Sequence, residues 1–545
     1  MQHYLRYKFF FSLLLVFVLS SANAQFNNSW IDYNKTYYKI KVGQTGLYRI
    51  PSAILQSTGL SSADASSFQM WRNGQEVPLF ISTPTGVLGA ADYIEFFGEI
   101  NDGKVDEALY SRPGLQLANK WSLKTDTAVY FLTINTASAN KRLIASQNNV
   151  ALNTLPAEPF FNYTFSKNYK DQVNPGYASV VGTSYIYSSS YDAGEGWSSR
   201  NITPATPLVE QQNYFVAPGG PAPTFRINAY GIAPNNRRFQ VMINGTMVVD
   251  NAMNFFTASV VDVPLPASLI GRAIDTVRII NNSAVAADRM AAYKYEITYP
   301  RLFNFGGSSL FEFELSASTV GNYLEIVNFN AGSEPPILYE LNEGKRYIAD
   351  NAEVGKLKFA LPAGGNRRFV LTSATATSVQ SVSNMSRKNF VDYSVANKQG
   401  DFLIIAHSSL NASSKGDAIQ QYANYRSSAD GGNYKVGVYD IDELVDQFAF
   451  GIKKHPLSIK NFIAFARTAF TTSSPKFILL MGKGVTYDQY RINEVRPSAE
   501  RLNLIPTFGN PGSDNILSSS DYDPTPETPI GRLSVTSGDE ILAYL

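Results

Sequence analysis

Short alternating runs of apolar and polar residues, broken at close intervals by turn formers, dominate the chain from Trp30 to about Asn135. Tyr37-Tyr38-Lys39-Ile40-Lys41-Val42 leads through Gly43-Gln44-Thr45-Gly46 into Leu47-Tyr48-Arg49-Ile50, a pattern that predicts a β-hairpin. Phe68–Arg72 is followed by Asn73-Gly74, the dipeptide of a type I′ turn, and then by Val77–Phe80. Tyr93–Phe97 and Ala128–Thr133 continue the series, with almost no helical period. Residues 25–155 are therefore expected to form an all-β module.

The same pattern extends to Ser373 with longer loops, such as Gly194–Trp197 and the Gly/Pro-rich Ala217–Pro223. Phe225–Tyr230, Phe239–Ile243, Ala292–Tyr299 and Phe311–Leu315 read as strands, and Asn244-Gly245 marks a second tight turn. Residues 156–373 are expected to be one β-sandwich or jelly roll, with 374–399 a linker.

The pattern changes after that linker. Phe402-Leu403-Ile404-Ile405-Ala406 is continuously apolar, as in a strand buried on both faces. Ile419, Tyr422, Ala423 and Arg426 have helical spacing, and Tyr434–Tyr439 is a second strand. A helix over Leu457–Ala469 and a third strand at Lys476–Met481 follow. Strand–helix–strand–helix–strand at this spacing means right-handed crossovers and a mostly parallel sheet over 400–545. The fold class is multidomain: N-terminal β modules followed by α/β. Ser537 and Glu540 have the spacing of a capping box. With Leu545 only one turn further on, the helix they open is expected to bury little, and the chain is expected to be truncated there.

The N-terminus reads as a secretory signal over residues 1–24. Arg6 and Lys8 precede the apolar run Phe9–Leu19, and Ala22-Asn23-Ala24 is a small-x-small site predicting cleavage before Gln25. No later segment reaches ~18 consecutive apolar residues, so no transmembrane helix is expected. Composition narrows the chemistry. The 545 residues carry 46 Lys+Arg against 45 Asp+Glu, and a formal charge of +1 gives no footprint for nucleic acid. Cys is zero, which removes disulfides, thiolate metal sites and any thiol nucleophile from these residues.

Few candidate groups remain. Gly482-Lys483-Gly484 follows a buried strand but lacks a complete phosphate-loop pattern, so a plain turn is the favoured reading. His407 falls at the carboxyl end of the first parallel strand, where open α/β sheets place ligands, with Ser408 and Ser409 beside it. No Gly-x-Ser-x-Gly elbow presents either serine. His455, before Pro456, reads as a solvated loop residue. Asp514, Asp521 and Asp523 lie in an oxygen-rich loop that offers ligands for a structural Ca²⁺, or caps and Asx-turns. Tyr185, Tyr187, Tyr191 and Trp197 read either as a sugar-stacking surface or as strand packing, the latter favoured.

Trp30-Ile31-Asp32-Tyr33, Tyr37–Ile40 and Gly46–Pro51 resemble the start of large exported Bacteroidetes proteins with a gingipain-type domain. Ile505-Pro506-Thr507-Phe508-Gly509, Ser513-Asp514-Asn515 and Pro529-Ile530-Gly531-Arg532-Leu533-Ser534-Val535 are similar to the first half of that peptidase domain, family C25. The type IX secretion sortases are its close relatives. The resemblance implies a caspase-like fold of two α/β subdomains, of which 400–545 would be the first. It also implies a Cys nucleophile with a His base in a Gly-His-Gly turn, and no required cofactor. Neither group is present here, and the resemblance places both C-terminal to Leu545. The intact protein is then expected to be an exported endopeptidase or sortase-type transpeptidase, at the cell surface, outer membrane or outside the cell. Its partners would be secreted protein or peptide substrates and secretion-system components. The alternative is a non-catalytic surface adhesion or glycan-binding protein with a degenerate peptidase-like domain.

Overall fold

The computed structural model describes residues 26–492, 497–520 and 523–545. The expected signal segment 1–24, its cleavage site before Gln25, and Asp521 lie outside the described residues.

Two sheets make the first module, antiparallel throughout except where Gln380–Ser381 pairs parallel with Gly46–Pro51. One runs in the order Ser386–Asn389, Thr36–Val42, Ala128–Ile134, Phe68–Arg72, Gln75–Val77; the other contains Gly46–Pro51 between Gln380–Ser381 and Tyr93–Gly98, with Phe80–Ile81 beyond. Alternation points Tyr38, Ile40, Ile50, Met70, Phe96 and Leu132 into a shared core. The hairpin expected at 37–50 does not form. Both strands exist, but Thr36–Val42 pairs with Ala128–Ile134 and Gly46–Pro51 with Tyr93–Gly98, so the chain turns a corner between sheets. Two apolar faces that meet one core are as well served by a corner as by a hairpin, and periodicity does not separate them. The Asn73-Gly74 turn is as expected, with φ of 48° and 73°, and Asn244-Gly245 repeats it at 50° and 86°.

The stretch read as a linker carries two strands that close this module. Gln380–Ser381 pairs with Tyr48–Arg49, and Ser386–Asn389 with Thr36–Lys39. The region expected to be one sandwich holds two separate cores. Phe225, Ile227, Val241, Ile279 and Ile297 centre the first, between two four-stranded sheets. Phe303, Phe313, Leu324, Phe359 and Leu371 centre the second, whose larger sheet is completed by Ile144–Ser146 from far earlier in the chain.

The last module is α/β. Its four-stranded sheet is all parallel, in the order Val436–Asp440, Phe402–Ala406, Phe477–Met481, Ile530–Leu533. Helix Ala418–Ser427 follows the first strand; helices Ile441–Phe448 and Leu457–Ala469, in contact with each other, follow the second. The crossover from Asp440 to Phe477 passes over the first strand, so strand order reverses between Phe402–Ala406 and Phe477–Met481. Such a reversal opens a crevice at the carboxyl ends of those strands. Helix Gly538–Tyr544 buries more than expected: Ile541 is inside the core, and Tyr544 meets Tyr422 on helix Ala418–Ser427. Its Ser537 cap accepts from the Glu540 N–H, while Glu540 accepts from the Thr536 N–H.

Candidate functional site

At the strand-order reversal, the chain leaves Ala406 through His407 and a short turn over Ser408–Leu410. His407 Nδ1 accepts from the Ser409 N–H at 3.1 Å and lies 2.7 Å from Ser409 Oγ. Its Nε2 faces Asp442 Oδ2 at 3.7 Å. The order of residues at 407–409 suggests the pairing of base and hydroxyl; the Asp442 carboxylate beside them is not legible in the sequence. All three are solvent-facing, and the Ser409 contacts are those of a cap on the turn.

Across the crevice, Gly482-Lys483-Gly484 leaves the third strand. The Gly482 N–H donates to the Leu533 carbonyl and the Lys483 N–H to the Val535 carbonyl, both at 2.9 Å. The turn therefore continues the sheet pairing and does not offer those amides to a phosphate.

Arg532, which sequence reasoning quoted but gave no role, organises this end of the sheet. Its Nη1 donates to the Gly482 and Ile505 carbonyls at 2.8 and 2.9 Å, and Nη2 to the Pro506 carbonyl at 3.1 Å. Nε and Nη2 each bind a different oxygen of Asp514 at 2.7 Å. One planar guanidinium thus holds together the three sequence segments that carried the family resemblance. Asp514, a candidate calcium ligand, is the bidentate partner of Arg532, and Asp523 caps the Thr525 N–H at 2.8 Å.

Behind this end, the α/β module meets an arm of the first module, residues 99–127, and the base of the first sandwich. A cleft of about 770 Å³ opens there, lined among others by Leu109, Arg112, Lys460, Phe508 and Ser519. Beneath it lies a buried polar cluster drawn from all three regions. His455 was expected in solvent, yet its side chain is 0% exposed, and Nε2 lies 3.1 Å from Asp106 Oδ1. The arm covers it, and nothing local in the sequence reveals a partner so distant in the chain. Asp106 also accepts from the Leu123 N–H at 2.6 Å and from the Ser122 hydroxyl. Lys124 Nζ donates to the Tyr191 hydroxyl at 2.6 Å and sits over the Tyr191 and Tyr487 rings.

Tyr191 is therefore core, and Trp197 donates its indole N–H to the Ser122 carbonyl at 3.0 Å. Neither belongs to a sugar-stacking surface. Gly509 also meets the sandwich closely: with φ of 70°, it lies against the Ser189 carbonyl, where a Cβ would have no room.

Burial sets the titration of this cluster. It lowers the His455 pKa, against the opposing pull of Asp106, and brings Lys124 down to about 8. It pushes Glu195 up to about 8. Glu195 accepts from the Asp192 N–H at 3.1 Å, with the Tyr487 hydroxyl beside its carboxyl. A carboxyl raised in the folded state contributes stability that is fully present below its unfolded pKa and is lost as pH rises through the folded one. On this account the unfolding midpoint should fall between about pH 6.5, above which His455 no longer opposes it, and about pH 8, with a slope approaching one proton. Glu195→Gln should remove that part of the slope, as read from chemical denaturation at each pH.

Residues 395–545 match the family model of peptidase family C25. No curated protein sequence matches the chain. The crystal structure of dimeric latent PorU from Porphyromonas gingivalis is similar over 94% of this chain and 50% of that one, at 14% identity and a TM-score of 0.56. The chain thus spans about half the length of that structure, and at this identity the likeness shows the fold. The CBM36-1 domain of a multidomain xylanase from the hindgut metagenome of Trinervitermes trinervoides matches 25% of this chain and 96% of its own length, at 8% identity and a TM-score of 0.17. CBM35 from Cellvibrio japonicus Abf62 matches 26% and 98%, at 13% identity and 0.16. Scores at that level carry no argument.

Proposed function

From the match of residues 395–545 to peptidase family C25, we propose that this chain is the front part of an exported gingipain-type cysteine peptidase. Its catalytic Cys and His would lie C-terminal to Leu545, and the intact protein would be an endopeptidase or sortase-type transpeptidase acting on secreted proteins or peptides. The observation that carries this reading is the coincidence of the family match with the parallel sheet whose open end Arg532 organises. In such an enzyme, thiolate attack on a peptide carbonyl gives an acyl-enzyme, which water or an amine then resolves. The part of this chain would be to hold the α/β framework rigid against the β modules, so that a second α/β half docks on a fixed partner.

Export by the 1–24 signal, a surface or extracellular location and contact with secretion-system components belong to the same proposal. Among the described residues, no helix is long and apolar enough to cross a membrane. The second reading, a non-catalytic surface adhesion or glycan-binding protein, is favoured by one observation: none of the 545 residues is Cys.

The test compares this 545-residue chain with the product of the complete reading frame on a fluorogenic peptide library. The short chain should show no cleavage sensitive to iodoacetamide. The long one should show it, and should lose it when its own cysteine is replaced by alanine. A reading frame that encodes no cysteine would move the assignment to the second reading. Cleavage by the short chain that Ser409→Ala abolishes would instead move the chemistry to His407 and its neighbours.

A further inference from the structure

The turn between helices Ile441–Phe448 and Leu457–Ala469 is bent against the preference of its own residues. The first of these helices ends at Ala449, and Phe450, Gly451 and Lys454 then take φ of 54°, 77° and 57°. A left-handed residue just past a helix end is common, but Gly or Asn ordinarily supplies it. Here Phe450 does, and Lys454 repeats the conformation further along the turn. A Cβ in that region crowds the carbonyl oxygen that follows, so two such residues in one turn persist only where their surroundings hold them.

The hold comes from the first module. Phe450 packs against the cluster of Trp30, Val129, Phe131 and Phe390, and its ring lies over Gly74, where a Cβ would come within 3.1 Å of it. Gly451 lies against Val129, which leaves 2.8 Å for a Cβ. The same module grips the chain on both sides of the turn. Before it, Lys39 and Lys388 pair with Asp446, and Val391, just past the strand Ser386–Asn389, bonds to Glu443 and Gln447 through its N–H and carbonyl. After it, Asp106 meets His455, whose Nδ1 accepts from the Leu457 N–H at 3.2 Å. The His455 ring therefore ties the arm 99–127 to the first amide of helix Leu457–Ala469. Leu457 and Asn461, at the start of that helix, line the cleft of about 770 Å³.

We propose that the turn 449–455 is a joint through which the first module sets the start of helix Leu457–Ala469, and with it one wall of the cleft. The seat of Phe450 keeps the turn in its left-handed form; when that seat is lost, the turn relaxes and the start of the helix shifts with it. The device does not depend on the peptidase reading.

The test is hydrogen–deuterium exchange of the whole chain, read in peptides over 449–461. Trp30→Ala, at the far end of the chain, should speed exchange there about tenfold, as should Phe450→Ala, while helix Ala418–Ser427 exchanges like the parent. Phe450→Asn removes the same ring but accepts the left-handed conformation, so it should exchange close to the parent, with or without Trp30. Parent-like exchange over 449–461 in Trp30→Ala would overturn the proposal, because the turn would then be set locally. So would Phe450→Asn exchanging as fast as Phe450→Ala, since ring packing alone would then hold the turn. If Trp30→Ala also loosens strands Thr36–Val42 and Ala128–Ile134, Val129→Ala, opposite Gly451, takes its place and is read in the same way.

Discussion

Asp288→Ala should destabilise the first sandwich by about 3–5 kcal/mol and lower its calorimetric transition by roughly 10 °C. Arg237 and Asp288 are both 0% exposed and joined by two hydrogen bonds, of 2.7 Å from Nε and 2.8 Å from Nη2. The same guanidinium donates to the carbonyls of Ala233, Met253 and Phe255. The carboxylate accepts further bonds from Asn235 and Asn281. Burial alone would raise the Asp288 pKa; the bonds from Arg237, Asn281 and Asn235 outweigh it and hold the carboxyl below its ordinary value. Removing the carboxylate leaves a cation in the core with no counter-charge, which costs more than the pair itself contributes. Arg237→Met combined with Asp288→Leu should therefore recover most of the loss. If the single and double variants melt alike, the penalty does not come from a stranded charge. Because Asp288 is lowered, its contribution is present above the unfolded pKa and is lost as pH falls through the folded one. The parent should weaken in acid, and the double variant should weaken less.

The second large effect is expected at the junction. Asp106→Ala removes the acceptor of the Leu123 N–H and the Ser122 hydroxyl and the partner of His455, all in a buried site. Leaving buried donors unpaired beside the Lys124 ammonium should cost about 3–5 kcal/mol. The penalty falls on contacts between modules, so the variant should separate transitions that coincide in the parent. Calorimetry should show the α/β module melting ahead of the β modules, and protease should cut first in the 99–127 arm. Asp106→Asn retains an acceptor for the Leu123 N–H and should lose less. His455 makes the junction acid-sensitive in the same sense as Asp288: its pKa is lowered, so its contribution is complete above about 6.5 and is lost as pH falls. A variant that unfolds in one step, like the parent, would show that the modules are held together elsewhere.

Much of the fold can be read from local pattern. Phe402–Ala406 is apolar at every position because helices cover both faces of the sheet, and the two Asn-Gly turns demand positive φ at both residues. The α/β order follows from those runs. Pairing between distant segments is not legible in the same way. Ser386–Asn389 reads Ser-Arg-Lys-Asn, with no alternation to mark an edge strand, and Gln380–Ser381 is shorter still. The helix Ile441–Phe448 escaped notice because Asp442, Glu443 and Asp446 look like a solvated run; in the fold, Asp446 is buried and pairs with Lys39 and Lys388 of the first module. His455 and Asp106 are separated by most of the chain, and each looks like a surface residue alone. At the crevice, the motifs around Ile505, Asp514 and Arg532 could be quoted from sequence, but their convergence on one guanidinium is a tertiary fact. The His407–Ser409 contact was legible because it is local.

The return of Ser386–Asn389 as the edge strand beside Thr36–Lys39 has a kinetic consequence. A chain emerging from synthesis holds Thr36–Val42 long before its edge partner exists, whereas each sandwich that follows has its core strands close at hand. Assembly should therefore run from the middle outward, with the sandwiches forming first and the module that contains the earliest strands closing after Asn389 has been made. For the same reason, a single backbone cut in an exposed loop of either sandwich should release nothing, since the two fragments would remain paired, strand to strand, across the first module.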